Sequence, residues 1–119
     1  MRWKQLIKEY FVNHSEGTTE SIRNWISNTY FDLIKEDVIK WINNVCSKEP
    51  HLSEVWQETL GNQNKLNRLT QQKINFSNSQ IMFHLKNFVK LGMLRKEDNY
   101  SGLSIYKFTK IGGEAKFLP

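Results

Sequence analysis

Between residues 78 and 108 the chain changes its apolar spacing, and few folds accept what that change describes. Ile81, Leu85, Phe88 and Val89 recur at three- and four-residue intervals, which gathers them on one side of a helix. Ser77 or Asn78 can cap that helix, because either side chain can accept from a free amide of the first turn. Gly92 stops it, and "MLRKE" begins a strand. "DNYSG" supplies turn residues, and "LSIYKF" returns as a second strand with Tyr106 and Phe108 on one face. A helix followed at once by a two-stranded ribbon is expected over this stretch, with "TKIGGEAKFL" closing the chain as a short helix or tail.

Upstream the pattern is helical. Trp3, Leu6, Ile7, Tyr10 and Phe11 share one face of a first helix ending near His14, and "SEGTT" interrupts with cap and turn residues. Ile22, Trp25, Ile26 and Tyr30 make a second helical face. Ile34, Val38, Trp41, Ile42 and Val45 make a third, which "CSKEP" ends because Pro50 biases Glu49 out of the helical region. Leu52, Val55, Trp56 and Leu60 mark a short fourth helix with Gly61 at its stop. The following "NQNKLNRLTQQKINF" reads as a long loop, or as a loop holding one turn of helix through Leu66 and Leu69. Local structure is favoured, since long structureless loops are uncommon in compact domains. The expected class is mainly α with a small β-hairpin, an α+β fold. The four tryptophans, Trp3, Trp25, Trp41 and Trp56, fall on apolar helical faces and are expected in cores.

Composition narrows the function. The chain has 119 residues, 39% hydrophobic and 13% aromatic, with two prolines, which describes a folded globular protein. Its net charge of +5 is uneven: residues 1–64 carry 7 Lys+Arg and 9 Asp+Glu, and residues 65–119 carry 10 and 3. A net of +7 in the second half points to an anionic partner, nucleic acid first; the alternative is a solvated basic surface. The single Cys46 forms no internal disulfide, fits a reducing cytoplasm, and is expected as a small buried residue. Lys4, Lys8 and Glu9 interrupt the first apolar residues, so neither a signal-peptide core nor a membrane span is expected. A cytoplasmic protein without membrane contact follows.

No glycine-rich phosphate loop, metal-ligand spacing or plausible partner for Cys46 as a nucleophile is present. Glu36-Asp37 and Glu97-Asp98 are adjacent carboxylates expected on a helix surface and a turn tip. Neither an enzyme nor a cofactor is expected, and no signature of a pocket for a small-molecule effector is visible.

"HLKNFVKLGMLRKED" followed by "IYKFTKIGGEA" resembles the recognition helix and wing of winged helix-turn-helix regulators of the multiple-antibiotic-resistance and arsenic-responsive repressor type. His84-Leu85-Lys86, Gly92-Met93-Leu94 and Tyr106-Lys107-Phe108-Thr109 with Gly112 stand where that family has its His-Leu-Lys, glycine exit and closing strand. The resemblance covers residues 78–116. Phe108 replaces the usual leucine, and the Asn/Gln-rich segment lengthens the link before the recognition helix. It implies a winged helix-turn-helix domain over residues 34–119, preceded by an N-terminal helical extension, 1–33, used for packing or dimerisation. The supporting helix is then either residues 52–60 or the segment around Leu66. "GTTESIRNWI" also passes as a weak helix-turn-helix start.

What the resemblance implies for function is a sequence-specific double-stranded DNA-binding transcriptional regulator, a repressor acting by promoter occupancy. Ser79, Gln80, Phe83, Lys86, Asn87 and Lys90 form the DNA-facing side of the helix, while Arg95, Lys96, Lys107 and Lys110 reach the backbone from the ribbon. Phe83 is the odd member: outward it can touch a thymine methyl, but burial against another element, here the polar insertion or a partner subunit, is the commoner fate of a helical phenylalanine. His84, at the edge of the core face, is expected as a packed or capping histidine. Trp3, Tyr10 and Phe11 make the first helix aromatic enough to pack against a second copy, and a two-fold homodimer implies half-sites one DNA turn apart. Two alternatives stand beside this reading: a winged-helix protein-interaction module, and a nonspecific nucleic-acid-binding accessory protein of a mobile element.

Overall fold

A computed structural model describes residues 2–98 and 104–108. Among them the order is α1 (Trp3–Asn13), β1 (Glu16–Gly17), α2 (Thr19–Lys48), a 3-10 turn (Pro50–Leu52), α3 (Ser53–Leu60), α4 (Gln63–Asn75), α5 (Asn78–Lys90), β2 (Leu94–Asp98) and β3 (Ser104–Phe108). The protein is mainly helical with a small antiparallel sheet of three strands in the order β1-β3-β2. None of the described helices is long and apolar enough to cross a membrane. The expected closing segment and Lys110 lie outside the described residues.

The chain forms two compact units, Met1–Ile26 with Ser77–Pro119, and Ser27–Phe76. This grouping differs from a division at residue 33, because α1 packs with α5. Trp3, Leu6, Ile7, Tyr10 and Phe11 of α1 are all buried, as are Ile81, Leu85 and Phe88 of α5. Ile22 and Ile26 from the start of α2, and Met93, Leu94 and Tyr106 from the ribbon, complete this core. The aromatic face expected to meet a second copy is thus spent inside the first unit. Trp3, Tyr10 and Phe11 offer no surface to a partner.

Local chemistry fixes the entry and exit of this unit. Thr18 and Ser21 cap α2 reciprocally: Thr18 Oγ1 accepts from the Ser21 amide at 3.0 Å, and Ser21 Oγ accepts from the Thr18 amide at 2.8 Å. Just before it, the "EG" of the interrupting segment is a strand rather than a turn, pairing Glu16 with Lys107 and Gly17 with Tyr106. Tyr10 locks it there, its hydroxyl donating to the Glu16 carbonyl at 3.0 Å. A Cβ on Gly17 would stand 2.6 Å from the Tyr10 ring, so only glycine allows that approach. At the other end Gly92 adopts φ +76°, its amide donating to Val89 and the next amide, Met93, to Phe88. That pair of bonds closes the last turn of α5 and turns the chain sharply into β2.

The two helical faces expected between residues 22 and 45 are two helical segments of α2 that meet at a kink, where Tyr30 departs from helical angles at φ −124° and ψ 23°; the residues from Ser27 onward belong to the second unit. Val38, Ile42 and Leu66 are the centre of its core, flanked by Ile39, Cys46, Trp56, Leu60 and Leu69. Trp41 does not reach a core as expected; it is 47% exposed, its ring edge-on to Trp56 at 5.4 Å. The Asn/Gln-rich stretch is a full helix, α4. Asn62 caps it by accepting from the Lys65 amide, and buried Thr70 returns its hydroxyl to the Leu66 carbonyl at 2.8 Å. That bond lets a polar residue occupy the buried face.

Candidate nucleic-acid interface

Helix α5 exposes what its spacing implies. With Ile81, Leu85 and Phe88 turned into the core, Ser79, Gln80, Phe83, Lys86 and Lys90 are exposed on the opposite side, and Asn87 is half-buried at its edge. The helix carries two lysines and no acidic residue. The only charged side chains of α5 itself are therefore these two cations, in its second half. Phe83, for which burial was the favoured expectation, is 61% exposed. No core position is open to it: it lies on the side of the helix away from Ile81 and Leu85. Its ring stands edge-on to half-buried His84 at 5.4 Å. Burial, then the nearby Lys4 ammonium, hold the His84 imidazole below its usual range, favouring the neutral ring. Lys4, Phe83, His84, Asn87, Lys90 and Leu91 edge an open depression of about 400 Å³ beside α1.

The ribbon behaves differently. Arg95 and Lys107 stand directly across from one another, and Glu97, two residues along, lies on the same face. Glu97 takes Lys107 at 2.9 Å and Arg95 at 3.0 Å, while Glu16 approaches Lys107 at 3.6 Å from the other edge. On the opposite face Lys96 meets Asp98 at 4.0 Å. The hydrogen bond from Lys107 holds the Glu97 carboxyl below the usual carboxylate range and, reciprocally, raises the Lys107 ammonium. Every cation that the sequence assigned to the described ribbon has a carboxylate beside it. Three positive and three negative side chains cancel across β1, β2 and β3.

One polar contact escapes sequence reasoning. Arg23, in the first turns of α2, donates from Nη1 to Asn78 Oδ1 at 2.6 Å, tying the start of α2 to the start of α5. Both residues border a second open cleft of about 280 Å³, with Thr18, Thr19, Met82 and Ser104. The only sequence signal was the helix-turn-helix character of "GTTESIRNWI", which contains Arg23.

The charge imbalance follows the compact units rather than the two halves of the sequence. Met1–Ile26 with Ser77–Pro119 carries 11 Lys+Arg against 6 Asp+Glu; Ser27–Phe76 carries 6 of each. The whole +5 belongs to the unit that displays α5. Among the described residues no group of three His, Cys, Asp or Glu side chains is placed to hold a metal ion. Comparison with protein-family models, with curated proteins and with solved structures finds no match.

Proposed function

We propose that this chain is a winged-helix protein that binds double-stranded DNA sequence-specifically through α5 and regulates transcription, as a repressor that occupies a promoter. The observation that carries the reading is the acid-free, exposed face of α5, displayed by the unit that holds all of the net charge. α1, the start of α2 and α5 supply three helices, and the ribbon follows α5 directly. Such a unit can seat its third helix in the ~12 Å major groove while the ribbon lies along the neighbouring backbone. On this reading the start of α2 supports the recognition helix, in place of residues 52–60 or the Leu66 segment. Ser27–Phe76 then intervenes in sequence between the second and third helices. Lys86 and Lys90 supply the main phosphate contacts, Gln80 and Asn87 the hydrogen bonds to base edges, and Arg95, Lys96 and Lys107 a smaller share.

Selection of the protein on a randomised duplex library at physiological salt tests this. Enrichment of a defined motif, bound about 10³-fold or more above random DNA, is the expected result. Binding without enrichment would leave a backbone reader that responds to salt alone. No binding would favour a protein-interaction module, the reading that exposed Phe83 and Leu91, at 61% and 67%, support.

A further inference from the structure

We infer that Phe83 is the specificity-determining residue of the α5 face, and that it reads the C5-methyl group of a thymine in the major groove. The inference rests on the DNA-binding reading above and adds the chemistry of the base pair recognised.

Position comes first. On a helix, the neighbours of a side chain on the same surface are three and four residues away. For Phe83 these are Ser79, Gln80, Lys86 and Asn87, all polar. The ring is therefore the apolar centre of a polar quadrangle, and it stands 61% exposed. It is also held: its edge contact with half-buried His84 limits the directions in which it can fold away. When this face enters a groove, the lysines at its margin reach phosphates and the centre meets the base edges.

Chemistry then selects the partner. The major-groove edges of the four base pairs present acceptors and donors almost everywhere, and the thymine methyl is their one apolar group. A phenyl ring set over guanine O6 and N7 or over the cytosine amine strips water from those groups and returns no hydrogen bond, which is unfavourable. Set over a thymine methyl it buries apolar surface on both partners. Gln80 and Asn87, one turn to either side, carry the amides that pair bidentately with adenine N6 and N7. Ring and amides together suit A·T pairs.

The test uses the duplex recovered by selection and a set of duplexes in which single thymines are replaced by deoxyuridine, which deletes the methyl group and leaves every hydrogen-bonding group in place. Wild-type protein is expected to lose about fourfold in affinity at one thymine of the site, the effect of one buried methyl-sized group. Phe83→Ala, at an exposed position and checked for folding by circular dichroism, is expected to bind the thymine and deoxyuridine duplexes equally. Installing 5-methylcytosine in place of cytosine at that step is expected to recover part of the wild-type loss caused by a T·A to C·G change. Wild-type binding that is specific yet indifferent to every deoxyuridine would overturn the Phe83 assignment and leave the DNA reading standing. Sensitivity that persists in Phe83→Ala would overturn it equally. Failure to bind any duplex, or a preference for single-stranded DNA on which the ring could stack, would remove both.

Discussion

Helix α5 and the ribbon are the two basic regions of this protein by sequence, and they differ in what surrounds their cations. Lys86 and Lys90 stand on a helix without a single carboxylate. Arg95, Lys96 and Lys107 stand on strands that pair them with Glu97, Asp98 and Glu16. Exposed ion pairs of this kind contribute little to stability, so their main consequence is for the surface potential. A count of lysines and arginines would rank the ribbon above the helix; the geometry reverses the order.

The largest effect should follow from removing the open cations. Lys86→Ala with Lys90→Ala is expected to lower affinity for the selected duplex by about one to two orders of magnitude, read by fluorescence anisotropy, with the circular dichroism spectrum unchanged. An equal loss from Arg95→Ala with Lys96→Ala would erase the contrast.

The junction between the two regions comes next. Gly92 at φ +76° has open space where a Cβ would be, so Gly92→Ala tests the backbone angle alone. A loss of about 1–2 kcal/mol in chemical denaturation is expected. No loss would mean that the sharp exit from α5 does not depend on the left-handed residue.

Smaller effects should come from the ribbon charges. Arg95→Ala with Lys96→Ala is expected to weaken binding by no more than about threefold, because each cation already faces a carboxylate. Glu97→Gln is expected to strengthen binding about twofold by releasing Lys107 and Arg95 toward phosphates.

The smallest effect is that of pH on the same network. Glu97 titrates below its ordinary value of 4.5 because Lys107 hydrogen-bonds its carboxylate. Its contribution to ribbon stability is therefore present above that value and is lost as pH falls through the depressed one. Lys107 titrates above its ordinary value of 10.5, so its contribution is present below that value and fades as pH rises through the raised one. In an NMR titration the Glu97 midpoint should climb in Lys107→Met; an unmoved midpoint would show that the pair does not form in solution.

The sequence made some of this contrast legible and hid the rest for identifiable reasons. The faces of α1 and α5 could be read because their apolar residues repeat every three or four positions and meet a single core. The exit at Gly92 and the two ribbon strands could be read because a glycine and a change of period mark them. β1 could not, since two residues carry no alternation and Glu16–Gly17 is a strand only by pairing with β3. α4 was obscured by its asparagines and glutamines; Leu66, Thr70 and Ile74 are its only fully buried positions, and one of them is polar. The packing of α1 with α5 is invisible to any reading that moves along the chain, because some 65 residues separate them.

The same limit governed the site. Spacing alone placed Ser79, Gln80, Phe83, Lys86, Asn87 and Lys90 together, because helical neighbours follow from residue number. Phe83 is exposed within the chain rather than buried against another of its elements, since residue type argues for burial while position on the helix argues for solvent. The neutralised ribbon was not legible either: the cross-strand register sets Lys107 beside both Glu97 and Glu16.

The most direct test of α5 as the DNA-binding face is the salt dependence of duplex binding by wild-type protein and Lys86→Ala with Lys90→Ala. If these two lysines displace counterions from phosphates, the slope of log affinity against log salt should be shallower in the variant by about 1.8, or roughly 0.9 for each lysine removed. An unchanged slope would contradict the assignment of α5 as the DNA-binding face.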